Sequence, residues 1–353
     1  MVGSERVLVE VSRSTFTMLN TDSSAWSHFV AGHPDASIFH HPSWSRVLAR
    51  SYGYDSCAAV VRRGDAITAG LPLMKINSPI TGRRWVALPF SDHCRLIAVD
   101  DASKGRLVKG LVETQTGGRS PRIEIRDFID HSAVMGTRAY LHELELEPDS
   151  NSVFGRFKKT RVQQSIQQAE REGVIVHRNS SMAYLRIFLT LHGLTRHRHG
   201  VPVQPRRYFR VLWEELLRHR RGFVSVAWVG RRPIASSVFL CWNQTLTYKY
   251  SASDPAYWSC RPNHAILWDA IRWGCEQGYR SFDFGRSDAE NTGLRAFKGG
   301  WGATESPLVY ETIGGKTEDY GHGLTDRLMG IVLRKSPAIL GRAAGELLYR
   351  HVG

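Results

Sequence analysis

The chain has 353 residues, of which 42% are hydrophobic, 10% aromatic and 23% charged, which is the composition of a globular domain rather than of a disordered or fibrous chain. The length allows two domains of ordinary size or one large one. The formal net charge is +14, yet no block of like charge suggests a disordered tail, and no run reaches the roughly 20 apolar residues that cross a bilayer.

The first half of the chain has the pattern of alternating helices and strands. Arg63-Gly64-Asp65 separates two apolar runs, which is a hairpin signal, and His41-Pro42-Ser43 is typical of a helix start. The periodicity predicts strands at 7–11, 85–88, 123–125 and 139–146, a hairpin over 58–73, and helices at 26–30, 44–51 and 105–115.

The second half has a similar order of elements, which indicates a second copy of one α/β unit. The pattern predicts helices at 154–172, 182–197, 205–220, 262–277 and 293–298, a hairpin over 223–242, and strands at 174–177, 246–251, 281–284 and 307–312. We therefore divide the chain into domains at 1–150 and 151–312 with a tail at 313–353. In the tail, 324–333 and 338–350 have the pattern of basic amphipathic helices, which either pack on the core or lie on an anionic membrane surface.

The positive charge is concentrated in one segment. Residues 151–232 contain 17 Lys or Arg against four acids, a net +13 out of the +14 of the whole chain. Such an excess attracts phosphates, whether of a nucleotide, a lipid pyrophosphate, a tRNA or a membrane surface. A solvated helical face is the alternative interpretation.

Cysteine and histidine spacing predicts no metal site. The five cysteines are widely spaced without a CxxC pair, so we interpret them as buried or incidental thiols. His192, His197 and His199 form a cluster, but no carboxylate or cysteine lies close to them in sequence. The N-terminal residues lack the features of a secretory signal. We expect a cytoplasmic protein, with peripheral contact at the inner membrane face as an option.

Several short motifs occur in an order and spacing that are more specific than any one of them. They are LPFSD at 88–92, FKKTR at 157–161 with AEREGV at 169–174, TRHRHGVP at 195–202, PIA at 233–235, YSAS at 250–253, PN at 262–263, FDFGRS at 282–287 and GLRAFKGGWG at 293–302. In these motifs the chain resembles the Fem family of peptidoglycan-bridge aminoacyltransferases and its GNAT or BioF-like acetyltransferase relatives. The resemblance extends over roughly residues 10–312.

The resemblance implies a fold and a place for the substrate. The expected fold is α/β (α+β): two tandem GNAT-like domains, each a mixed, mostly antiparallel sheet flanked by helices, followed by C-terminal helices. The acceptor is expected in the cleft between the two domains.

The first candidate catalytic residues are Lys298 and Phe297. Acyl transfer to an amine passes through a tetrahedral oxyanion, whose stabilisation is usually the largest catalytic contribution. A lysine on a short helix after a strand can reach a carbonyl oxygen or a donor phosphate, and the resemblance places the Phe-Lys pair at the active cleft. Phe297 packs either behind Lys298, against the acyl group or in the core.

Asp283 alternates with Phe282 and Phe284, so its side chain is predicted to face away from them, into the cleft. It is a candidate general base, which needs a pKa near neutrality, or it holds Arg286 or Lys298.

The remaining candidates bind substrate. Guanidinium groups bind phosphate in a bidentate manner, and Asn263 follows Pro262 at a helix start, where it either faces an anion or caps the helix. Asp92 lines the acceptor groove or occupies a turn, and Tyr250 belongs to the third matching stretch. The predicted phosphate-binding residues are Arg196, Arg198 and Arg286.

The donor stays open at this point, and no tightly bound cofactor is expected. Enzymes of the GNAT superfamily that use acetyl-CoA have a glycine-rich turn before the helix that binds the pyrophosphate. The stretch Ser259 to Ala265 contains no glycine, which favours aminoacyl-tRNA over acyl-CoA, although no long heptad hairpin of the kind some Fem proteins have is present.

The sequence thus predicts an N-acyltransferase that transfers an aminoacyl or acyl group to an amine of a cell-envelope precursor of the peptidoglycan type. This acceptor bears phosphate and is either a small molecule or lipid-linked. No nucleophile motif points to a covalent intermediate. One alternative is a CoA-dependent N-acetyltransferase that modifies a sugar or polysaccharide intermediate. The other is a non-catalytic RNA- or membrane-binding protein on a decayed transferase fold.

Overall fold

The computed structural model describes residues 14–129, 139–314 and 338–352. The predicted strand at 7–11 and the predicted helix at 324–333 lie outside them. The α-helices in the described ranges are α1 (Ser24–Gly32), α2 (Pro42–Tyr52), α3 (Asp101–Thr116), α4 (Ser150–Gly155), α5 (Gln164–Arg171), α6 (Met182–His199), α7 (Arg206–Glu215), α8 (Pro262–Glu276), α9 (Thr292–Gly300) and α10 (Ala338–Val352).

The strands form two seven-stranded sheets. The first has the order β1-β2-β3-β4-β6-β14 with β5 paired to β3, and the second has the order β13-β7-β12-β11-β10-β9-β8. The strands are β1 (Ser14–Leu19), β2 (Asp55–Arg63), β3 (Ala66–Ser78), β4 (Gly82–Val86), β5 (Ile97–Ala98), β6 (Ile123–Ile125), β7 (Ala139–Glu145), β8 (Ile175–Asn179), β9 (Gly222–Val229), β10 (Arg232–Trp242), β11 (Thr245–Ser253), β12 (Ser281–Asp288), β13 (Thr304–Leu308) and β14 (Glu311–Ile313).

Both sheets are built on the same plan. Each has a strand, two helices, an antiparallel hairpin and a further strand, followed by a helix that crosses over to a parallel strand. The parallel pairs are β4–β6 and β11–β12, and the other pairings between named strands are antiparallel. The expected pair of mixed, mostly antiparallel sheets flanked by helices is therefore confirmed.

The two sheets exchange strands near the predicted domain boundary. β7 precedes residue 150 but pairs with β12 and β13 of the second sheet. Conversely, β14 lies at the end of the chain's second half but pairs with β6 of the first sheet. The division at 150/151 stays a prediction, and this exchange ties the two halves together through their backbones.

The basic helix expected over 154–172 is interrupted. A π-helical turn, Lys159–Gln163, separates α4 from α5. The break has a local and a long-range cause. The side chain of Gln163 donates to the carbonyls of Phe154 and Phe157, and the backbone N–H of Lys158 donates to the carbonyl of the distant Gly300. These groups are thereby withdrawn from a continuous helical ladder.

Two other boundaries differ from the sequence prediction. The helix expected over 205–220 ends at Glu215 and continues as a short 3₁₀ turn at Leu217–His219. The strand expected over 307–312 is two strands, β13 and β14, which belong to different sheets.

The hydrophobic core joins the halves. One buried cluster contains Leu71 and Leu88 of the first half together with Phe188, Phe209 and Val226 of the second. A second cluster lies between the other face of the second sheet and α4, α5 and α8. Burial of this apolar surface is the main stabilisation of the arrangement.

Helices α2 and α7 also form ion pairs across the two halves. Arg46 lies 2.7 Å from Glu215, and Arg50 lies 2.6 Å from both Glu214 and Glu215. Because Glu215 is largely buried, these pairs are screened less than surface pairs and help to fix the relative position of the helices.

Helix α10 packs on both halves. The ring of Tyr349 lies 5.7 Å from that of Phe90, and its hydroxyl contacts Arg196 at 2.6 Å. His351 hydrogen-bonds to Ser78 at 3.0 Å. Through these contacts α10 packs against the core of the protein, which is one of the two arrangements expected for residues 338–350. Within the described ranges, no helix is both long and apolar enough to span a bilayer.

Candidate functional site

The site is built where β11 and β12 separate. Their parallel pairing is limited to three positions, from Thr245 opposite Ser281 to Thr247 opposite Asp283. Beyond that point β11 continues to Ser253 and β12 to Asp288 without pairing to each other. The divergence opens a wedge in the sheet where backbone groups and side chains from both strands face a common space.

A β-bulge in β11 lies at the mouth of this wedge. Val238 of β10 pairs with Tyr250 and Phe239 pairs with Tyr248, so Lys249 is the extra residue. Tyr248 packs into the core on the α8 side, whereas Tyr250 packs into the core shared with the first half. Without the bulge these two tyrosines would share one face, because side chains two residues apart in a strand do so.

The loop that follows β4 covers the wedge from the first half. Leu88 and Phe90 have positive φ angles of 51° and 62°, and the Ser91 hydroxyl donates to the carbonyl of Leu88. Arg126 donates to the carbonyl of Ser91. This tight turn projects Asp92 and His93 towards β12.

Asp283 and His93 form a buried pair between the halves. His93 Nε2 lies 3.1 Å from Asp283 Oδ2, and Asp283 is 1% exposed. Burial lowers the pKa of His93 and raises that of Asp283, but their mutual hydrogen bond and charge outweigh it, so the His93 pKa is raised and the Asp283 pKa is lowered. Asp283 also accepts from the Gly285 N–H at 2.7 Å.

The prediction that Asp283 faces away from Phe282 and Phe284 is confirmed, since both rings pack in the α8-side core. Its partner is His93 rather than Arg286 or Lys298. The sequence left two roles open for Asp283: a general base, or a residue that holds a neighbouring side chain in place. A lowered pKa does not suit a general base at neutral pH, so the second role is favoured.

The pairing of β12 with β7 shifts register between Asp283 and Arg286, where Gly285 has a φ of +71°. Lys298 lies against this kink of β12. Its Nζ donates to the carbonyls of Gly285 at 2.9 Å and Arg286 at 2.8 Å, and the residue is 4% exposed. Burial lowers the pKa of Lys298 to about 8, against the opposing charges of Asp92 and Asp283. An ammonium has three N–H bonds, so one remains for a further acceptor.

Asp92 lies between the bulge and the kink. Its Oδ2 is 3.7 Å from Lys249 Nζ, and a Cβ at Gly285 would approach the same oxygen to 2.7 Å. The Lys249 Nζ also donates to the carbonyl of Phe90 at 2.7 Å and lies 5.1 Å from the centre of the Phe39 ring. The glycine at 285, whose φ is +71°, therefore makes room for the loop of the first half.

Arg286 is held beside the same cluster. It lies 2.6 Å from Asp288 and 5.4 Å from the ring of Tyr310, and Arg126 approaches that ring at the same distance. The Tyr310 hydroxyl donates to the backbone carbonyl of Asp92. Arg286 thus belongs to the site, with a carboxylate already beside its guanidinium.

Arg196 and Arg198 lie at the end of α6 and are engaged within the protein. Arg196 donates to the carbonyl of Pro202 and to the Tyr349 hydroxyl, and Arg198 lies 4.7 Å from the Trp258 ring. Tyr250 is partly buried beside the site: its hydroxyl bonds to Tyr208 at 2.7 Å, and the centre of its ring lies 5.6 Å from Lys249 Nζ.

Asn263 and Phe297 lie on the opposite side of β12. Phe297 packs between the rings of His264 and Trp301 at 5.5 and 6.3 Å. The residue at the N-cap of α8 is Arg261, and Asn263 makes no capping bond, so the capping role expected as one option for Asn263 is wrong. Its Oδ1 is buried and has no hydrogen-bond partner among the described residues.

Sequence reasoning missed three residues of the cluster: His93, Lys249 and Tyr310. His93 follows directly after the LPFSD motif, and Lys249 directly precedes Tyr250, so neighbourhood to a motif was the available signal. His192, which the sequence grouped with His197 and His199, bonds to Gln204 at 2.8 Å and stacks on Phe188, as a core histidine does.

Comparison with known proteins agrees with this geometry. Residues 156–298 match the family model described as an acetyltransferase (GNAT) domain. No curated protein matches the chain.

Three solved structures illustrate the fold. FemX is similar with a TM-score of 0.63 and 15% identity, covering 80% of this chain and 93% of FemX. The C-terminal domain of a putative lysylphosphatidylglycerol synthetase from Agrobacterium fabrum has a TM-score of 0.52 and 14% identity, covering 88% and 93%. A conserved protein of unknown function from Bacteroides thetaiotaomicron has a TM-score of 0.51 and 10% identity, covering 81% and 94%.

At such identities these structures show the fold, and the family match adds the type of domain. The chain is therefore an acyltransferase that carries a GNAT domain over residues 156–298 and has the fold of FemX.

Proposed function

We propose that this acyltransferase transfers an aminoacyl or acyl group to an amine of a phosphate-bearing cell-envelope precursor. The observation that carries the proposal is the cluster at the wedge, where His93 and Asp92 of the first half meet Asp283 and Lys298 of the second. Both halves are needed to form it, as an acceptor site between them requires.

The reaction is a direct transfer. The acceptor amine nitrogen attacks the acyl carbonyl carbon, an N–C bond forms, and the bond from that carbon to the donor oxygen or sulfur breaks. An acceptor that arrives as an ammonium first loses one proton to become the attacking amine. Its nitrogen loses a second proton as the amide forms, and the leaving ribose oxygen or thiol sulfur takes up that proton. No covalent enzyme intermediate is required.

Lys298 is proposed to stabilise the oxyanion of this reaction. Two of its N–H bonds are fixed on the Gly285 and Arg286 carbonyls, which orients the third without a reorganisation cost. A buried ammonium acts more strongly on developing charge than an exposed one, because little water screens it. Asp283 and His93 then act as positioning residues that hold the kink of β12.

The acceptor is proposed to bind in a cavity of about 570 Å³ between the halves, which is within the usual size of ligand sites. Its charged lining residues are Arg95, Lys104 and Arg126 against Asp35, Asp127 and Glu143, and His93 is the member of the cluster that lines it. The three cations suit the phosphate groups of such an acceptor, and the carboxylates suit its ammonium group.

An aminoacyl-tRNA donor is favoured by two features. Lys158, Lys159 and Arg161 are exposed, and the Lys158 N–H bonds to Gly300 at the end of α9, two residues after Lys298. Basic side chains next to the catalytic helix suit a polyphosphodiester. The second feature is the turn before α8. Its left-handed position is occupied by Arg261, at φ 52°, although glycine is ordinarily favoured there. The turn therefore lacks the glycines that enzymes of the GNAT superfamily using acetyl-CoA have at this place.

The second candidate is a CoA-dependent N-acyltransferase. One observation favours it: the Oδ1 of Asn263 is buried without a described partner at the N-terminus of α8. This oxygen can accept from an amide N–H of the pantetheine chain of such a donor, while the dipole of the helix favours the phosphates of the same donor.

A donor comparison tests the proposal. Purified protein is incubated with charged tRNA or with acetyl-CoA, each with an amine-bearing muropeptide precursor, and product is detected by mass spectrometry. Transfer from charged tRNA alone supports the leading proposal, and transfer from the thioester alone supports the second candidate. Binding without transfer from either donor class would contradict both.

A further inference from the structure

A second concave surface lies away from the wedge, between α6, α7 and α10. This groove has a volume of about 610 Å³. Its apolar floor contains the buried Leu185 and the half-buried Met182, Leu189 and Val203. The proposed transfer uses none of these residues.

Arginines surround the apolar floor. Arg186, Arg206, Arg207 and Arg210 line the groove and are exposed. Within the described ranges, none of the four side chains has a hydrogen bond or an ion pair with another residue. Guanidinium groups of this kind bind phosphate through paired N–H bonds.

The third wall is helix α10. Glu346 contributes the groove's carboxylate and accepts the Arg206 backbone N–H at 3.1 Å. Gly345 lies so close to Val203 that a Cβ there would approach the Val203 carbonyl to 1.7 Å. The groove is therefore formed by close packing of the chain end on 201–205, and four arginines face one glutamate in it.

An apolar channel with a positive rim is complementary to one class of ligand. Burying a hydrocarbon chain on the apolar floor is favourable. An anionic head group that stays at the water boundary can pair with the arginines. A nucleotide or free phosphate would leave the apolar floor unused, and a neutral lipid would leave the arginines unpaired.

We propose that this groove binds a single-chain amphiphile with a phosphate head group, the chain lying over Leu189 and Met182 and the phosphate bound by Arg186, Arg207 and Arg210. The inference goes beyond the proposed function, because binding here is measured without donor, acceptor or turnover.

Isothermal titration of the full chain at low salt tests it, with decyl phosphate below its critical micelle concentration as the probe. Inorganic phosphate and decyl maltoside supply the head group and the chain separately. We expect decyl phosphate to bind at least tenfold more tightly than either, with up to about fourfold gained per added methylene.

Two variants separate the contributions. R186A/R207A/R210A is expected to weaken decyl phosphate binding at least tenfold, whereas R119A/R171A/R231A, which removes the same charge from exposed arginines elsewhere, changes it less than twofold. Leu189→Trp fills the floor and is expected to weaken decyl phosphate but not inorganic phosphate. If the arginine variant fails to fold, two other measurements test the proposal: the gain in affinity per added methylene among alkyl phosphates of increasing chain length, and the effect of Leu189→Trp.

Several results would overturn the proposal. Equal binding of decyl phosphate and inorganic phosphate would make the site one for free phosphate. Unchanged affinity in the arginine variant would remove the groove from the binding site. Binding to anionic vesicles without binding to monomeric decyl phosphate would indicate adsorption of the basic surface to a membrane.

Discussion

His93 Nε2 lies 3.1 Å from Asp283 Oδ2, and this contact joins the loop after β4 to the strand that carries the kink. Removing one partner of a buried ion pair leaves the other charge uncompensated, which typically costs about 3–5 kcal/mol. We therefore expect His93→Ala to lower the free energy of unfolding by about that amount, measured by chemical denaturation. The matched control is His219→Ala at an exposed position, with an expected change below about 0.5 kcal/mol. An equally small change for His93→Ala would mean that the pair does not hold the halves together.

The same pair predicts how stability depends on pH. The His93 pKa is raised in the folded state, so its contribution is complete below about pH 6.5, its value in an unfolded chain, and is lost as the pH rises through the folded value. The Asp283 pKa is lowered, so its contribution is present above about pH 4 and is lost in acid. The stability difference between wild type and His93→Gln should be largest between about pH 4 and 6.5. A difference that grows above pH 7 would contradict the charged pair.

The contribution of Lys298 to stability is expected to change with pH in the opposite direction to that of His93. Its pKa is lowered by burial to about 8, whereas an unfolded lysine titrates near 10.4, so between these values the unfolded chain binds more protons. Wild type should thus gain stability relative to Lys298→Met as the pH rises from about 8 to 10, by roughly 3 kcal/mol at most. Denaturation curves across this range measure it, with Lys109→Met, an exposed lysine, as control. A flat difference would mean that Lys298 is solvated.

Gly285 is expected to tolerate no side chain. A Cβ there would lie 2.7 Å from Asp92 Oδ2, and its φ is +71°. Gly285→Ala should strain the backbone and push the Asp92 carboxylate out of its place beside Lys249, lower stability by about 1–3 kcal/mol and slow transfer at least tenfold. Gly105→Ala, where no atom lies within 4 Å of an added Cβ, should be neutral or slightly stabilising, because Ala favours a helix. Full activity of Gly285→Ala would refute the close approach.

The sequence predicts the elements whose signals are local. The hairpin of β2 and β3 and the helix α8 follow from turn residues and periodicity. The exchange of β7 and β14 does not, because which sheet a short strand joins depends on contacts with distant residues. The break at Lys158 depends likewise on Gly300.

The site shows the same limit. Alternation along FDFGRS was enough to place Asp283 on the face of β12 opposite Phe282 and Phe284, as in the structure. The partner of Asp283 lies 190 residues away, and Lys249 faces the site only because a bulge shifts the register of β11. Neither a long-range contact nor a bulge is visible in periodicity.

The most direct test of the central claim is the rate of acyl transfer by wild type and Lys298→Met, with whichever donor the comparison above selects, between pH 6 and 9. We expect Lys298→Met to lose at least a hundredfold in turnover while Lys109→Met stays within twofold of wild type, and the wild-type rate to fall as Lys298 loses its proton near pH 8. An active, folded Lys298→Met, or a rate that rises through pH 8 in wild type only, would contradict oxyanion stabilisation by this lysine.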